Sequence, residues 1–196
     1  MVKKYILRIL VLNVFMLLTA CQASSPQVSF PTMTFKHLPT IKLRVVDIQL
    51  VSNFERNADM PHVAHRFPIS PEKALIQWAT DRIRALGGKN TARLTITQAD
   101  AQEIKLKLDK NFTGIFKNQQ SDRYITNVKA QLEILDEHGR RKAIVTAQAK
   151  QSITVAESTS LADRRKIWYN LVEKLITRFN LSMQENINSN LQYYLL

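Results

Sequence analysis

The sequence predicts an α+β fold, a two-layer sandwich in which two helices cover one face of a roughly four-stranded, mainly antiparallel sheet. Two runs of alternating apolar and polar residues, 124–134 and 143–155, flank a short acidic turn that ends in Gly139, and they predict a β-hairpin. Apolar residues recur at helical spacing after Ser70 and again after Ser160, which predicts the two helices. Packing both helices on one sheet face is the most economical way to bury their apolar stripes.

The first strand is predicted to begin at Ile41. Apolar residues occupy odd positions from Ile41 to Val45 and even positions from Val46 to Leu50. Because neighbouring residues of a strand point to opposite faces, this change of parity predicts a β-bulge at Val45–Val46. The following residues, 55–69, show no periodicity and are predicted to form a loop.

The first helix is predicted from Ser-Pro-Glu at positions 70–72, which supplies an N-cap hydroxyl, a proline at the first helical position and a carboxylate in the first turn. Its apolar stripe continues to Leu86, and the glycine pair at 87–88 predicts the end of the helix. Trp78 lies on this stripe, so we interpret it as a core residue rather than an aromatic that stacks on a ligand.

A long strand is predicted next, because apolar residues keep to even positions from Ala92 to Leu108, with a more polar interval at 98–102. One long strand and two strands in register are both compatible with this constant parity. The odd face would then turn Glu103 and its basic neighbours towards water or an anionic partner. Residues 109–122 are predicted to form a loop.

Three apolar residues of this loop either fold back on the core or form a contact patch. These residues are Phe112, Ile115 and Phe116.

The second helix begins at a segment that resembles a capping box, with Ser160 at the N-cap and Asp163 in place of the usual Glu or Gln. Its apolar stripe reaches Leu191, which predicts about 30 residues and a length of about 45 Å. Such a helix is longer than a four-stranded sheet is wide. The segment ending at Leu196 therefore either contacts a partner or the membrane, or it frays or packs against the 109–122 loop.

The N-terminus has the pattern of a secretory signal. Lys3, Lys4 and Arg8 accompany an apolar run from Ile9 to Leu18. A membrane-spanning helix needs about 20 apolar residues, and this run is much shorter. Residues 1–20 are therefore predicted to be a cleaved signal peptide.

The segment Leu18-Thr19-Ala20-Cys21 closes this run and contains the single cysteine of the chain. It resembles the lipobox of bacterial lipoproteins. The resemblance implies cleavage before Cys21, transfer of a diacylglyceryl group to its sulfur and acylation of its new amino group. Two or three acyl chains anchor a protein stably, so Cys21 is the predicted lipidation site and membrane anchor. By analogy with the sorting of enteric lipoproteins, Gln22 favours the outer membrane over the inner membrane.

Composition predicts one basic domain on a tether. The proline-containing segment 21–40 is predicted to be an extended tether, and 41–196 a single domain. The chain has 28 Lys and Arg against 16 Asp and Glu, and removal of the signal leaves 25 against 16. A basic domain favours anionic partners such as lipid head groups or acidic glycans, although a merely solvating basic surface has the same composition. Nucleic acid is disfavoured because no base-stacking module is recognisable.

The sequence predicts a non-enzymatic protein that uses no cofactor or metal. His62 and His65 are three residues apart, but no cysteine or carboxylate cluster completes a metal site. There is no glycine-rich phosphate loop and no nucleophile elbow. Five basic residues are the candidates for contact with an anion or lipid. They are Arg93, Lys105, Lys107, Arg164 and Arg165.

In element order and lipid anchor the chain resembles the outer-membrane lipopolysaccharide-assembly lipoproteins, a family whose members plug a partner barrel. It is less similar to the auxiliary lipoproteins of lipid-transport ABC systems. These resemblances imply a periplasm-facing accessory of an envelope complex that assists outer-membrane or lipid assembly or transport. The alternative is a lipoprotein that binds peptidoglycan or regulates a cell-wall synthase. Because fold-level analogy is a poor guide to sites, no binding residue is carried over.

Overall fold

Two helices lie on one face of a four-stranded sheet in a computed structural model that describes residues 29–107 and 120–196. The spatial order of the strands is β1-β2-β3-β4, with β1 parallel to β2 and the other neighbours antiparallel. The predicted α+β class and mainly antiparallel sheet are confirmed. The strands are β1 (Ile41–Ser52), β2 (Ile83–Lys105), β3 (Gln120–Leu135) and β4 (Arg141–Ala156).

Helices α1 (Pro71–Arg82) and α2 (Leu161–Asn190) enclose the core against the sheet. Trp78 of α1 is completely buried and meets Phe179 of α2 edge to face, with ring centroids 5.0 Å apart. Its Nε1 donates a hydrogen bond of 2.9 Å to Oδ1 of Asn180, so the two helices are joined by packing and by a polar contact. The prediction that Trp78 is a core residue is confirmed. Within the described residues, no helix is long and apolar enough to cross a membrane.

Helix α1 forms the crossover that a parallel pair of strands requires. Its predicted start is confirmed, because the Ser70 hydroxyl accepts a hydrogen bond from the Lys73 amide at 3.2 Å. Its predicted end is wrong: the helix stops at Arg82, and Ile83 opens β2 in register with Ile41. The position of Ile83 is compatible with both the helical and the strand spacing of apolar residues. Its pairing with Ile41, 42 residues away, makes it the first residue of a strand.

The glycine pair lies inside β2, in a local excursion towards β1. Leu43 pairs with Ala85 but Val45 pairs with Asn90, so residues 86–89 leave the ladder. Gly88 has a φ of +135°, and a Cβ there would lie 2.7 Å from the carbonyl oxygen of Arg44. Only glycine fits this position without moving β1.

Bulges decide which side chains of the first two strands face the helices. The predicted bulge in β1 is confirmed by shifts of register on both sides of Val45. The predicted constant parity of β2 is wrong, because the strand has a bulge between Ile96 and Gln98. Beyond it the faces exchange: Glu103 is buried and Ile104 is 41% exposed. One extra residue opposite β3 is enough to reverse every following side chain.

The predicted hairpin of β3 and β4 is confirmed, with Gly139 at a φ of +74° in the turn. The cap of α2 is confirmed as well. The Ser160 hydroxyl accepts a hydrogen bond of 3.1 Å from the Asp163 amide and donates one of 2.7 Å to the Asp163 carboxylate. The helix has the predicted 30 residues.

The C-terminal segment extends the sheet beyond β1. Leu195 forms an antiparallel bridge with Leu43, and the Leu196 amide donates a 3.1 Å hydrogen bond to the Lys42 carbonyl. The segment thus packs within the chain, against β1, and its contact with a partner or the membrane stays a prediction. Most of the predicted 109–122 loop, including Phe112, Ile115 and Phe116, lies outside the described residues.

Residues 29–40 pack on the domain rather than extending from it. Met33 and Phe35 are buried in the core. Asp81 of α1, only 3% exposed, accepts hydrogen bonds from the Phe35 amide at 2.8 Å and the Thr34 hydroxyl at 2.9 Å. The packed domain therefore begins upstream of the predicted boundary at Ile41. The signal peptide, Cys21 and the rest of the predicted tether precede residue 29 and lie outside the described residues.

Replacing Gly88 with alanine should lower the free energy of unfolding by more than about 2 kcal/mol, because the strained φ and the contact with Arg44 add together. Gly87→Ala is the matched control. Gly87 also has a positive φ, +86°, but open space around it, so we expect a loss of about 1 kcal/mol. Urea unfolding of both variants measures the difference, and equal losses would contradict the close approach of the strands.

Candidate anion-binding surface

The face of the sheet opposite the helices is uncovered and basic. The residues of this open face follow from the strand register, because residues paired across neighbouring strands point to the same face of the sheet. Gln49, Arg93 and Glu133 are paired in this way. Among the described residues, three carboxylates lie on this open face, namely Asp47, Asp100 and Glu133. Eight cationic side chains of the same residues lie there, namely Lys42, Arg44, Arg84, Arg93, Arg123, Lys129, Lys142 and Lys150.

Arg93 is the one predicted candidate near the centre of the open face. Its Nε donates a hydrogen bond of 3.0 Å to Oε1 of Gln49 on β1, and Glu133 is its neighbour in the register of β3, where it is ion-paired with Arg141 at 3.3 Å. The Arg93 side chain is half-buried between these strands. The hydrogen bond to Gln49 positions the guanidinium, and its role in anion contact stays a prediction.

Lys105 and Arg164, two further candidates, meet at one buried carboxylate. Asp122, at the start of β3, has a side chain that is only 3% exposed. Lys105 Nζ lies 2.6 Å from its Oδ1, and Arg164 Nη1 donates to its Oδ2. Arg164 also donates to the Tyr124 hydroxyl at 2.7 Å, and the Ser121 hydroxyl donates to Asp122 at 3.0 Å. Residues 42 positions apart in the chain thus form one ion-pair network.

Glu103 adds a second buried carboxylate to this network. Its Oε1 lies 2.7 Å from Lys105 Nζ, and its Oε2 lies 3.5 Å from Arg66 Nη1. The sequence predicted Glu103 on the water-facing side of its strand, and this is wrong because the bulge in β2 turns it inward. No local signal in the sequence identifies Glu103 or Asp122 as partners of the basic residues.

Arg165 and Lys107 lie near the same end of the domain. The Arg165 guanidinium carbon is 5.4 Å from the centroid of the Phe30 ring, a cation–π contact. Lys107 lies two residues beyond the end of β2 and is exposed. The structure thus brings four of the five candidates to the end where α2 begins and leaves Arg93 on the open face.

The ion pairs set the protonation of Asp122. Burial opposes ionisation of this carboxyl, but hydrogen bonds from Lys105, Arg164 and Ser121 outweigh it and hold the pKa at about 2. The same contacts with Asp122 and Glu103 raise the pKa of Lys105. Asp122 is therefore a carboxylate at neutral pH, and the two cations nearest to it compensate its charge inside the fold.

A cleft of about 700 Å³ opens where β1 ends and the loop before α1 crosses the edge of β2. It is lined by His62, whose Nδ1 is 2.9 Å from Oδ2 of Asp100, and by Glu72, which is paired with Arg56. The hydrogen bond from Arg56 is the largest influence on Glu72 and lowers its pKa. Glu72 is thus held as a carboxylate, the opposite of what a general acid at neutral pH requires.

Neither His62 nor His65 belongs to a metal cluster in the described ranges 29–107 and 120–196. Within them, no group of three or more His, Cys, Asp or Glu side chains is arranged to hold a metal ion. His65 lies in a short 3-10 turn, Ala64–Arg66, and lines the cleft beside Glu72.

No protein-family model matches the chain, and no curated protein matches it. Among solved structures, the chain is similar to the crystal structure of rare lipoprotein B from Shewanella oneidensis. The identity is 14% and the TM-score 0.35, and the match covers 73% of this chain and 95% of that one. At these values the similarity carries no argument about function.

Replacing Asp122 with asparagine should lower stability by about 2 kcal/mol at neutral pH, since Arg164 and Lys105 lose their ionic partner. The folded pKa of Asp122 is about 2 and its ordinary value 3.8, so its stabilisation is present above about pH 4 and disappears as the pH falls towards 2. The stability gap between the two proteins should therefore shrink by about 1 kcal/mol between about pH 6 and pH 3. Urea unfolding across this range measures it, and parallel pH profiles would refute the assignment.

Proposed function

We propose that this protein is a non-enzymatic lipoprotein of the cell envelope that assists outer-membrane or lipid assembly or transport. The observation that carries the proposal is Leu18-Thr19-Ala20-Cys21, which follows a charged N-terminus and a short apolar run. Lipidation of Cys21 would anchor the chain, facing the periplasm, and Gln22 favours the outer membrane.

The open face of the sheet supports an accessory role in contact with a partner. Neither α1 nor α2 covers it, and among the described residues eight cations lie there against three carboxylates. A surface with such an excess of one sign attracts partners of the other sign and orients them before contact. We therefore assign the open face to an anionic partner, either a component of an envelope complex or its lipid or glycan cargo.

Replacing Cys21 with serine tests the anchor. Because a serine hydroxyl cannot form the thioether, we expect the variant to lose its lipid, to accumulate as the uncleaved precursor or to appear in the soluble periplasmic fraction. Fractionation and mass spectrometry of the N-terminal peptide measure these outcomes. A Cys21→Ser protein that is cut normally and stays fully in the membrane would refute the central proposal.

A photo-crosslinking residue in place of Gln148 tests the open face. Gln148 is exposed and pairs with Lys129 on that face, whereas the control position Glu185 is exposed on α2. In intact cells, position 148 should recover an envelope assembly or transport component, and position 185 should not. Equal recovery from both positions, or none, would contradict the assignment of this face.

The same crosslinks distinguish the alternative function. Recovery of a cell-wall synthase, together with retention of the mature domain on purified sacculi, would support the alternative function, a lipoprotein that binds peptidoglycan or regulates a cell-wall synthase. A protein that assists lipid or outer-membrane assembly should wash off sacculi at about 0.5 M salt, because screened surface charge alone does not retain it.

A further inference from the structure

We propose that the end of the domain where α2 begins is the surface that faces the membrane and contacts the phosphates of anionic lipid head groups. This surface, the α2-start end, is formed by the first residues of α2 and β3, the last residues of β2, the turn between β4 and α2, and Arg66, which pairs with Glu103. The proposal rests on the proposed anchoring through Cys21.

The N-terminal segment enters the domain at this end. Phe30 stacks on Tyr169 of α2, with ring centroids 5.5 Å apart and an interplanar angle of 21°. Arg165 covers the same Phe30 ring. These contacts fix the point from which the chain leads back towards residue 21.

The connection to the anchor is short compared with the domain. Ser29 follows Cys21 by eight residues, which span at most about 29 Å when fully extended. Helix α2 alone, with 30 residues, is about 45 Å long. The α2-start end therefore stays near the bilayer, while the opposite end, with the hairpin turn at Gly139, can be much farther away.

The charge of the α2-start end fits an anionic surface. Among the described residues, four carboxylates lie here, namely Glu103, Asp122, Glu157 and Asp163, and the first two are buried. Seven cationic residues of the described ranges lie here, namely Arg66, Lys105, Lys107, Arg123, Arg164, Arg165 and Lys166.

Burial of two of the carboxylates leaves the exposed part of this end strongly positive. Lys105 keeps a side chain that is 69% exposed and Arg66 one that is 50% exposed, although both are ion-paired. Lys107 and Arg123 are exposed as well. Lysine and arginine close to an anionic bilayer are attracted to it, and this attraction fades within a Debye length of about 10 Å. Only cations on the end that faces the lipid contribute to it.

The test uses the mature chain, residues 21–196, with Cys21→Ser, so that attraction to head groups is measured without the anchor. The α2-start variant carries Lys107→Glu, Arg123→Glu and Lys166→Glu. The matched control carries Lys36→Glu, Lys89→Glu and Arg140→Glu, the same change of charge at exposed positions away from the α2-start end and outside the set of open-face cations. Lys105 and Arg164 are left intact because they hold Asp122.

The two sets of substitutions are well separated. Asn90, next to Lys89, and Lys105 are 15 residues apart along β2, or up to about 50 Å, which is several Debye lengths at about 0.1 M salt. Co-sedimentation is measured on phosphatidylcholine vesicles with and without about 30% phosphatidylglycerol.

The unsubstituted Cys21→Ser chain should bind only the vesicles that contain phosphatidylglycerol. The α2-start variant should bind them at least about tenfold more weakly, and the control less than about threefold more weakly. Equal losses in the two variants, or binding that ignores phosphatidylglycerol, would overturn the proposal. Lipidation of Cys21 plays no part in this assay, so failure of the anchor and failure of the membrane-facing end are separate results.

Discussion

Two adjacent charged residues buried at the end of α1 hold three separate parts of the chain together. Asp81 accepts hydrogen bonds from the N-terminal segment, and Arg82, only 1% exposed, donates to the Pro39 carbonyl and, at 2.7 Å, to Gln184 of α2. Burial lowers the pKa of the Arg82 guanidinium. Burial opposes ionisation of Asp81, but the hydrogen bonds that its carboxylate accepts outweigh this effect and lower the pKa of Asp81. A buried ion without partners is very costly, so the N-terminal segment, α1 and α2 must be in place together. Residues 34–39, which lead into β1, are thereby fixed.

The open face follows from the same arrangement. Since α1 crosses between the parallel strands and α2 returns along β4 on the same side, all apolar burial is concentrated on one face of the sheet. The other face has no core to join and can carry charge at little cost. The composition shows only that basic residues are in excess. Because both helices lie on one side of the sheet, many of these residues are placed on the opposite face.

What the sequence predicted well was local. The hairpin turn, the Ser70 and Ser160 caps and the apolar stripe of α2 depend on residues close together in the chain, and each was found. The errors share another cause. Whether Ile83 continues a helix or opens a strand is decided by Ile41, and Glu103 is buried because of a bulge opposite β3. Asp122 binds partners 17 and 42 residues away, at distances that periodicity does not cover.

The candidate basic residues therefore belong to two groups with different constraints. Lys105 and Arg164 compensate Asp122, so their charge is required by the fold whatever the partner is. Lys107 and Arg123 are exposed cations of the same end, and the buried carboxylates do not account for their charge. If all of these basic residues were counted as one binding surface, the charge available to a ligand would be overestimated. If all were treated as structural, the exposed cations without a buried partner would be overlooked. The geometry of the ion pairs separates the two groups. Lys107 and Arg123, which no buried carboxylate compensates, lie at the α2-start end, from which the chain leads to its anchor.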